Sequence, residues 1–549
     1  MNSFYLSKPW LFSISICLPS ILLSADYKVY STHAPNTYSA PATQDNANRE
    51  LQISGSGDPL ALVEGSALIR GATLDKHSTS GTFIPTKQRH NSIGAPVATK
   101  LDTISATSLT SQLVNLSTLD SAVAFIRSQA QLGNGLPKTF SIPNGIDVGN
   151  NQVLKDGVGL YDTSLALLGL LDAGQRKDAK AILDIYSKEL FGTFTLRAYP
   201  NDNNVNSYQP LNASNYLLFD QAPDYAKYDG WNEYKTHTGP NAWMILAGAK
   251  FISDSRNAQE ADDAGVLAMI KAIGGGLLLL QDTDGGIRYG PLSSSNNNGL
   301  DFNIKNTENN ISAYAAFQAL YKITKDQRYL DAANKIKSFL KTMMSDGGLL
   351  YAQTNYTAGQ GWQILPKQFA DSAGTWAISA LGADTIDQIW GAGAAARMWM
   401  TTRSHFGRTT NATACGPAWG PVCRNSDTIS GLDFTDIYRG TPENTILSPE
   451  WTAGGIMAIK QILNQCQTQG AVYSAYCSAG SVNRMNNDIA SMQQFLSQYG
   501  GSYGVGPGMT SGRNGATGFD TIAAPSSITA MASVYAALKT DPLAWARSL

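Results

Sequence analysis

Six stretches of this chain are rich in small and apolar residues on every side, as helices buried on most faces must be. They are YDTSLALLGLL from Tyr161, PNAWMILAGAKFI from Pro240, NISAYAAFQALYKI from Asn310, SAGTWAISAL from Ser372, EWTAGGIMAIKQIL from Glu450 and SSITAMASVYAAL from Ser526. They recur roughly every 60–80 residues, a period that fits one helical hairpin plus a loop. Between them lie amphipathic helices with charged faces: KDAKAILDIYSKEL, AGVLAMIKAIGGGLLLL, QRYLDAANKIKSFLKTMM, IDQIWGAGAAARMWM and NNDIASMQQFLSQY. A further one, LSTLDSAVAFIRSQAQ from Leu116, precedes the first buried segment. Closing the hairpins into a ring lets six inner helices bury one another while six outer helices shield them. The pattern predicts an all-α (α/α)6 toroid spanning residues 116–549.

The two rims of such a ring differ in their loops. Inner-to-outer connections are mostly short, as in LDAGQR, TKDQ and GADT. Outer-to-inner connections are long: Phe191 to Thr238, Asp282 to Lys305, Ser345 to Phe369, Thr401 to Leu447 and Gly500 to Ala523. Long loops without regular structure of their own either carry function or are disordered. All of these enter inner helices, so they gather where the inner-helix N-termini point.

That rim collects carboxylates from five places, Asp162, Glu233, Glu308, Asp371 and Glu450, together with His237, Asn241 and Asn309. Each alone reads as a helix cap or a first-turn charge. Thr307, ahead of Glu308, is expected to cap its helix. Convergence on one rim is what suggests chemistry. Trp231, Tyr314, Trp362 and Trp451 accompany them, and an indole joins an apolar face suited to a sugar ring with an N–H that can reach a polar partner. Trp243 and Trp376 sit inside helices and read as core. Paired carboxylates suit glycoside hydrolysis, one acid protonating the leaving oxygen and a second carboxylate activating water or attacking directly.

Composition supports a neutral, hydroxyl-rich partner. Charged residues are 15% of 549, the net charge is −2, and no basic block is present. Nucleic acid and anionic membranes are therefore poor partners. Nothing in the pattern calls for a metal or cofactor. Residues 1–25 read as a signal peptide, since the apolar run Trp10–Leu23 is short and interrupted by Pro19, with Ser24 and Ala25 behind it. Export, secreted or periplasmic, follows, with no stable membrane insertion after processing. Residues 26–115, rich in Ser, Thr, Asn, Pro and Gly, read as a partly disordered leader. Cys415, Cys423, Cys466 and Cys477 suggest two disulfides, and the simplest of three connectivities joins near neighbours.

Through FIRSQAQLGNGLPKTFSI, GLYDTSLALLGLLDAG, THTGPNAWMILAGAKF, NTENNISAYAAFQALYKITKDQRYLDAANKIKSFL and SPEWTAGGIMAIKQIL, residues from about Leu116 to Leu549 resemble the six-hairpin glycosidases of bacterial exported proteins. The resemblance implies a sugar site at the inner-helix N-terminal rim and inverting hydrolysis of a polysaccharide or oligosaccharide. Glu308 is then the first choice for general acid, with Asp371 and Glu450 as bases and Asp162 and Glu233 behind. Two rivals remain. A polysaccharide lyase on the same fold could use His237 or Tyr234 as base, with Arg197, Arg288 and Arg439 binding uronates. A non-catalytic glycan-binding protein would need no acid at all. QDTDGG is a partial match to the acidic motif of helical terpene cyclases, and His237 with His405 to the paired histidines of epimerases.

Overall fold

The computed structural model describes residues 119–133, 135–141, 157–190, 218–219, 236–291, 301–368, 374–408, 428–433, 446–469, 476–503, 509–510, 528–529 and 538–547. The signal peptide, the leader, Trp231, Glu233, Tyr234, Asp371, Cys415 and Cys423 lie outside these residues.

Outer and inner helices alternate as the periodicity requires. Outer α1 (Leu119–Leu132) leads to inner α2 (Leu160–Asp172), and outer α3 (Arg176–Asp184) leads to inner α4 (Thr238–Asn257). Outer α5 (Ala264–Leu279) leads to inner α6 (Thr307–Thr324), and outer α7 (Gln327–Thr342) to inner α8 (Trp376–Leu381). Outer α9 (Ala383–Trp390) and α10 (Ala394–Phe406) precede inner α11 (Pro449–Gln469), and outer α12 (Ala479–Tyr503) follows. The sixth inner segment, from Ser526, lies outside the described residues apart from Ile528 and Thr529.

The two helix kinds bury different amounts of themselves. In α6 nearly every side chain from Thr307 to Leu320 is buried, whereas α7 buries Tyr329, Ala332, Ala333, Ile336, Phe339 and Leu340, a single stripe at helical spacing. Consecutive inner helices pack against one another from α2 through α4, α6 and α8 to α11. Their ring closes on an aromatic plug. Tyr161, Trp243 and Trp376, from α2, α4 and α8, meet with ring centroids 5.2, 6.4 and 5.3 Å apart. Trp243 Nε1 donates to Ser312 of α6 at 3.2 Å, and a Cβ on Gly454 of α11 would sit 3.1 Å from the Trp376 indole nitrogen. Five inner helices thus converge on one axis, which is the (α/α)6 toroid.

Two features depart from the expected pattern, and one, a disulfide, agrees with it. IDQIWGAGAAARMWM is not one helix. Gly391 at φ 93° and Gly393 at φ 76° break it, and the Asp387 carboxylate caps the second half by accepting from Gly393 N and Ala395 N at 3.0 and 2.9 Å. The long loops carry β structure: β1 (Phe140–Ser141) pairs with β9 (Ile528–Thr529), and β2 (Ile304–Asn306), β3 (Gln353–Thr357) and β4 (Gly361–Leu365) form an antiparallel sheet. A second sheet orders β5 (Gly407–Arg408), β6 (Gly431–Asp433), β7 (Ile446–Ser448) and β8 (Met509–Thr510). These strands fix the loops against the inner-helix N-termini. Finally, Cys466 and Cys477 form a disulfide that ties the end of α11 to the start of α12.

The opposite mouth is sealed. The C-terminal α13 (Pro542–Arg547) packs on α6 and α8. Thr540 N donates to Asp172 at the end of α2 at 2.8 Å, Arg547 donates to Gln461 of α11 at 2.9 Å, and Lys322 in the last turn of α6 lies 4.9 Å from the Trp545 ring. The inner-helix N-termini lie at the other end of the ring.

Candidate active site

The inner helices begin in a common register, and that register sorts the rim residues. At the fourth position, Asn241 of α4 accepts from Phe219 N and donates to Phe219 O, both at 2.8 Å. Asn310 of α6 does the same for Ile287, at 2.7 and 2.9 Å. Thr452 of α11 accepts from Leu432 N at 3.0 Å. At the first position, Thr238 and Thr307 donate to the carbonyls of Arg288 and Tyr351. These residues anchor the incoming loop to the helix. Asn241, expected to bind substrate, uses its whole amide on the backbone, since Nδ2 also donates to His237 O at 2.9 Å. Thr307 is likewise not the cap; Asn306 is, accepting from Asn309 N at 2.9 Å.

The second position puts Tyr161 against Trp243 and Trp376 of the plug and Glu450 within reach of the Tyr161 hydroxyl. It holds Tyr161 in α2, Gly239 in α4, Glu308 in α6 and Glu450 in α11. The Tyr161 hydroxyl donates to Glu450 Oε1 across the ring. Both glutamates are 4% exposed. Negative charge at these first turns also suits the positive end of each helix. Gly239 is required here, because a Cβ would lie 2.3 Å from Asn309 Oδ1 on the next inner helix. Asn309 is fully buried, and neither of its amide atoms makes a hydrogen bond.

Asp162, at the third position of α2, is also fully buried. Its Oδ2 accepts from the Thr139 hydroxyl at 3.0 Å, and the Thr139 oxygen accepts from Gly159 N at 2.6 Å. Burial pushes the Asp162 carboxyl well above the usual carboxylate range; the Thr139 bond opposes this and the charge of Glu450 adds to it.

Around this centre lie side chains already engaged with one another. His237 Nε2 is 3.3 Å from Asp301 Oδ2, and its ring lies 4.2 Å from that of Tyr289. The QDTDGG segment is a structural turn: Lys305 Nζ, fully buried, pairs with Asp282 and Asp284 at 2.8 and 2.7 Å, and Arg288 pairs with Asp282 at 3.0 Å. Trp362, on β4, covers Lys305 Nζ at 3.8 Å. Trp451 is buried in the first turn of α11 at 4% exposure. Tyr314 is not a rim residue. It sits two turns inside α6, where the charge of Arg547 from the sealed mouth reaches its hydroxyl. His405 closes an outer helix, α10. Thr139 and Asp301 drew no attention in the sequence, because their partners are 23 and 64 residues away.

Among the described residues, no group of His, Cys, Asp and Glu is arranged to hold a metal ion, and no helix is long and apolar enough to cross a membrane.

No protein-family model matches the chain, and no curated protein matches it. Solved structures similar to it include a family 76 glycoside hydrolase from a bovine Bacteroides thetaiotaomicron strain, 10% identical over 73% of this chain and 72% of that one, with a TM-score of 0.41. The alpha-1,6-mannanase of Salegentibacter sp. HEL1_6 is 14% identical over 82% of this chain and 99% of its own, with a TM-score of 0.39. An unsaturated glucuronyl hydrolase from Bacillus sp. GL1 is 9% identical over 78% and 94%, with a TM-score of 0.45.

Proposed function

We propose that the chain is a glycoside hydrolase acting on a polysaccharide or oligosaccharide by an inverting mechanism, with Glu308 as general acid and Glu450 as general base. The observation that supports it is the shared register of the two glutamates. Both occupy the second position of an inner helix, in its first turn, and both are buried. The hydrogen bond donated by Tyr161 favours the charged form of Glu450, the form a base needs to take a proton from water. Glu308 then protonates the departing glycosidic oxygen as the C–O bond breaks, and the water held by Glu450 attacks from the opposite face.

Asn309 is the group best suited to bind substrate. An amide that is buried and unbonded costs about 1–3 kcal/mol per group, and a sugar hydroxyl can both donate to it and accept from it. Glycan binding is therefore expected to give this amide the hydrogen bonds it lacks. Asp371, Glu233 and Trp231 remain candidates for the same rim. An exported, secreted or periplasmic location fits a polysaccharide substrate.

The test is a screen of the purified protein against a panel of polysaccharides, reading new reducing ends and near-ultraviolet absorbance together. Reducing ends without absorbance are expected. Absorbance from an unsaturated product would replace this reading with a lyase, and binding without either signal would replace it with a glycan-binding protein.

A further inference from the structure

The first turn of α2 carries two adjacent side chains in contrasting surroundings. Tyr161 donates to Glu450. Asp162, beside it, is held by Thr139 through Oδ2 alone, while Oδ1 is buried without a hydrogen-bond partner. The ionisable groups that face Asp162 are Glu450 from α11 and the Tyr186 phenol from the π-helical turn Ile185–Leu190 that follows α3. Both are acids, and among the described residues no cation pairs with Asp162. A carboxylate wholly removed from water, with one oxygen unbonded and a second carboxylate nearby, has only the Thr139 hydroxyl and its own backbone N–H to offset its charge.

We propose that Asp162 is a positioning residue that works in its protonated form, so that Asp162 and Glu450 together carry one negative charge and Tyr161 holds that charge on Glu450. The proposal rests on the reading of Glu450 as the base, and deepens it. A neutral Asp162 fixes the first turn of α2 through Thr139 and Gly159, which sets where the Tyr161 hydroxyl points. It does so without placing a second anion beside the base. The direction in which burial and the Glu450 charge move the Asp162 carboxyl agrees with this. Glu450 can then accept the proton of the attacking water while Asp162 keeps its own, so proton transfer at the site involves one base and one acid.

The direct test needs no substrate. Infrared difference spectra of the full chain at neutral pH, wild type against Asp162→Asn, are expected to show the carbonyl band of a protonated carboxylic acid in the wild type and its loss in the variant. Loss of an ionised carboxylate band instead would overturn the proposal. On whichever glycan the protein hydrolyses, Asp162→Ala is expected to lower kcat. Asp162→Asn, an uncharged isostere of the protonated acid, is expected to recover most of that loss. Asn no better than Ala, with both variants folded, would also overturn it. Because the infrared reading is independent of turnover, a chain that hydrolyses nothing on the panel would sink the hydrolase reading and still leave the proton on Asp162 measured.

Discussion

Each mouth of the ring holds a carboxyl group raised above its usual range, and the two groups keep different company. At the sealed mouth, burial raises Asp541, but the Ser379 hydroxyl, the N–H groups of Ala544 and Leu543 and the charge of Arg547 all oppose the shift. Asp541 is thus the N-terminal cap of α13, accepting from Leu543 N and Ala544 N at 3.0 and 3.2 Å. At the opposite rim, Asp162 has one hydroxyl donor and a like charge for a neighbour. Burial of a carboxyl is therefore no guide to function by itself, and the charge beside it differs in sign between the two mouths.

The contrast predicts that changes at the two mouths fail in different ways. At the rim, Glu308→Gln and Glu450→Gln should each lower hydrolysis by about 10²–10⁴-fold. Both should keep a wild-type unfolding midpoint, since an amide replaces a carboxylate of the same shape. At the sealed mouth, Leu543→Ala should cost about 2–5 kcal/mol of stability, because Leu543 is fully buried in α13. Its effect on kcat at temperatures where the variant is folded should be small. A large loss of kcat with little loss of stability in Leu543→Ala would break the comparison.

Smaller effects test the seam between inner helices. Gly239→Ala must displace Asn309, and overpacking of this kind costs about 1–3 kcal/mol. A rise in KM larger than the loss of kcat would tie Asn309 to substrate, and unchanged kinetics with a lowered unfolding midpoint would leave it purely structural.

The smallest effect is a pH dependence. A carboxyl raised in the folded state contributes stability that is present below its unfolded pKa of about 4 and lost as pH rises through its folded value. Urea midpoints of the wild type should accordingly fall across that window. Asp162→Asn should flatten the fall more than Asp541→Asn does, because Asp162 is raised further and lacks opposing cations.

Much of the fold was legible because it is local. The inner helices announce themselves by small and apolar residues on all sides, and α7 by its single stripe. What was hidden depended on distant partners or on backbone detail. The break at Gly391–Gly393 was masked because apolar residues continue across it on both sides. Strands of five residues or fewer, such as β3 and β4, alternate too briefly to stand out in polar loops. Asn306 and Thr307 are adjacent and both good caps, so only geometry chooses between them.

The site was legible as a set of helix starts and no further. Glu308 and Glu450 can be found at inner-helix N-termini, but their common second position emerges only when the helices are superposed by their backbone anchors. Asn241 resembled a ligand-binding residue because the backbone it grips, at Phe219, lies 22 residues upstream. The Tyr161–Glu450 hydrogen bond spans 289 residues of sequence and closes only when the ring does.

The proposed division of labour between Glu308 and Glu450 is open to test by leaving-group chemistry. On a glycan that the wild type hydrolyses, and on an activated glycoside of the same sugar whose leaving group needs no proton, rates of Glu308→Gln and Glu450→Gln are compared. Glu308→Gln should recover most of the wild-type rate on the activated substrate, and Glu450→Gln should remain slow on both. Equal losses on both substrates for Glu308→Gln, or recovery by Glu450→Gln, would contradict the assignment.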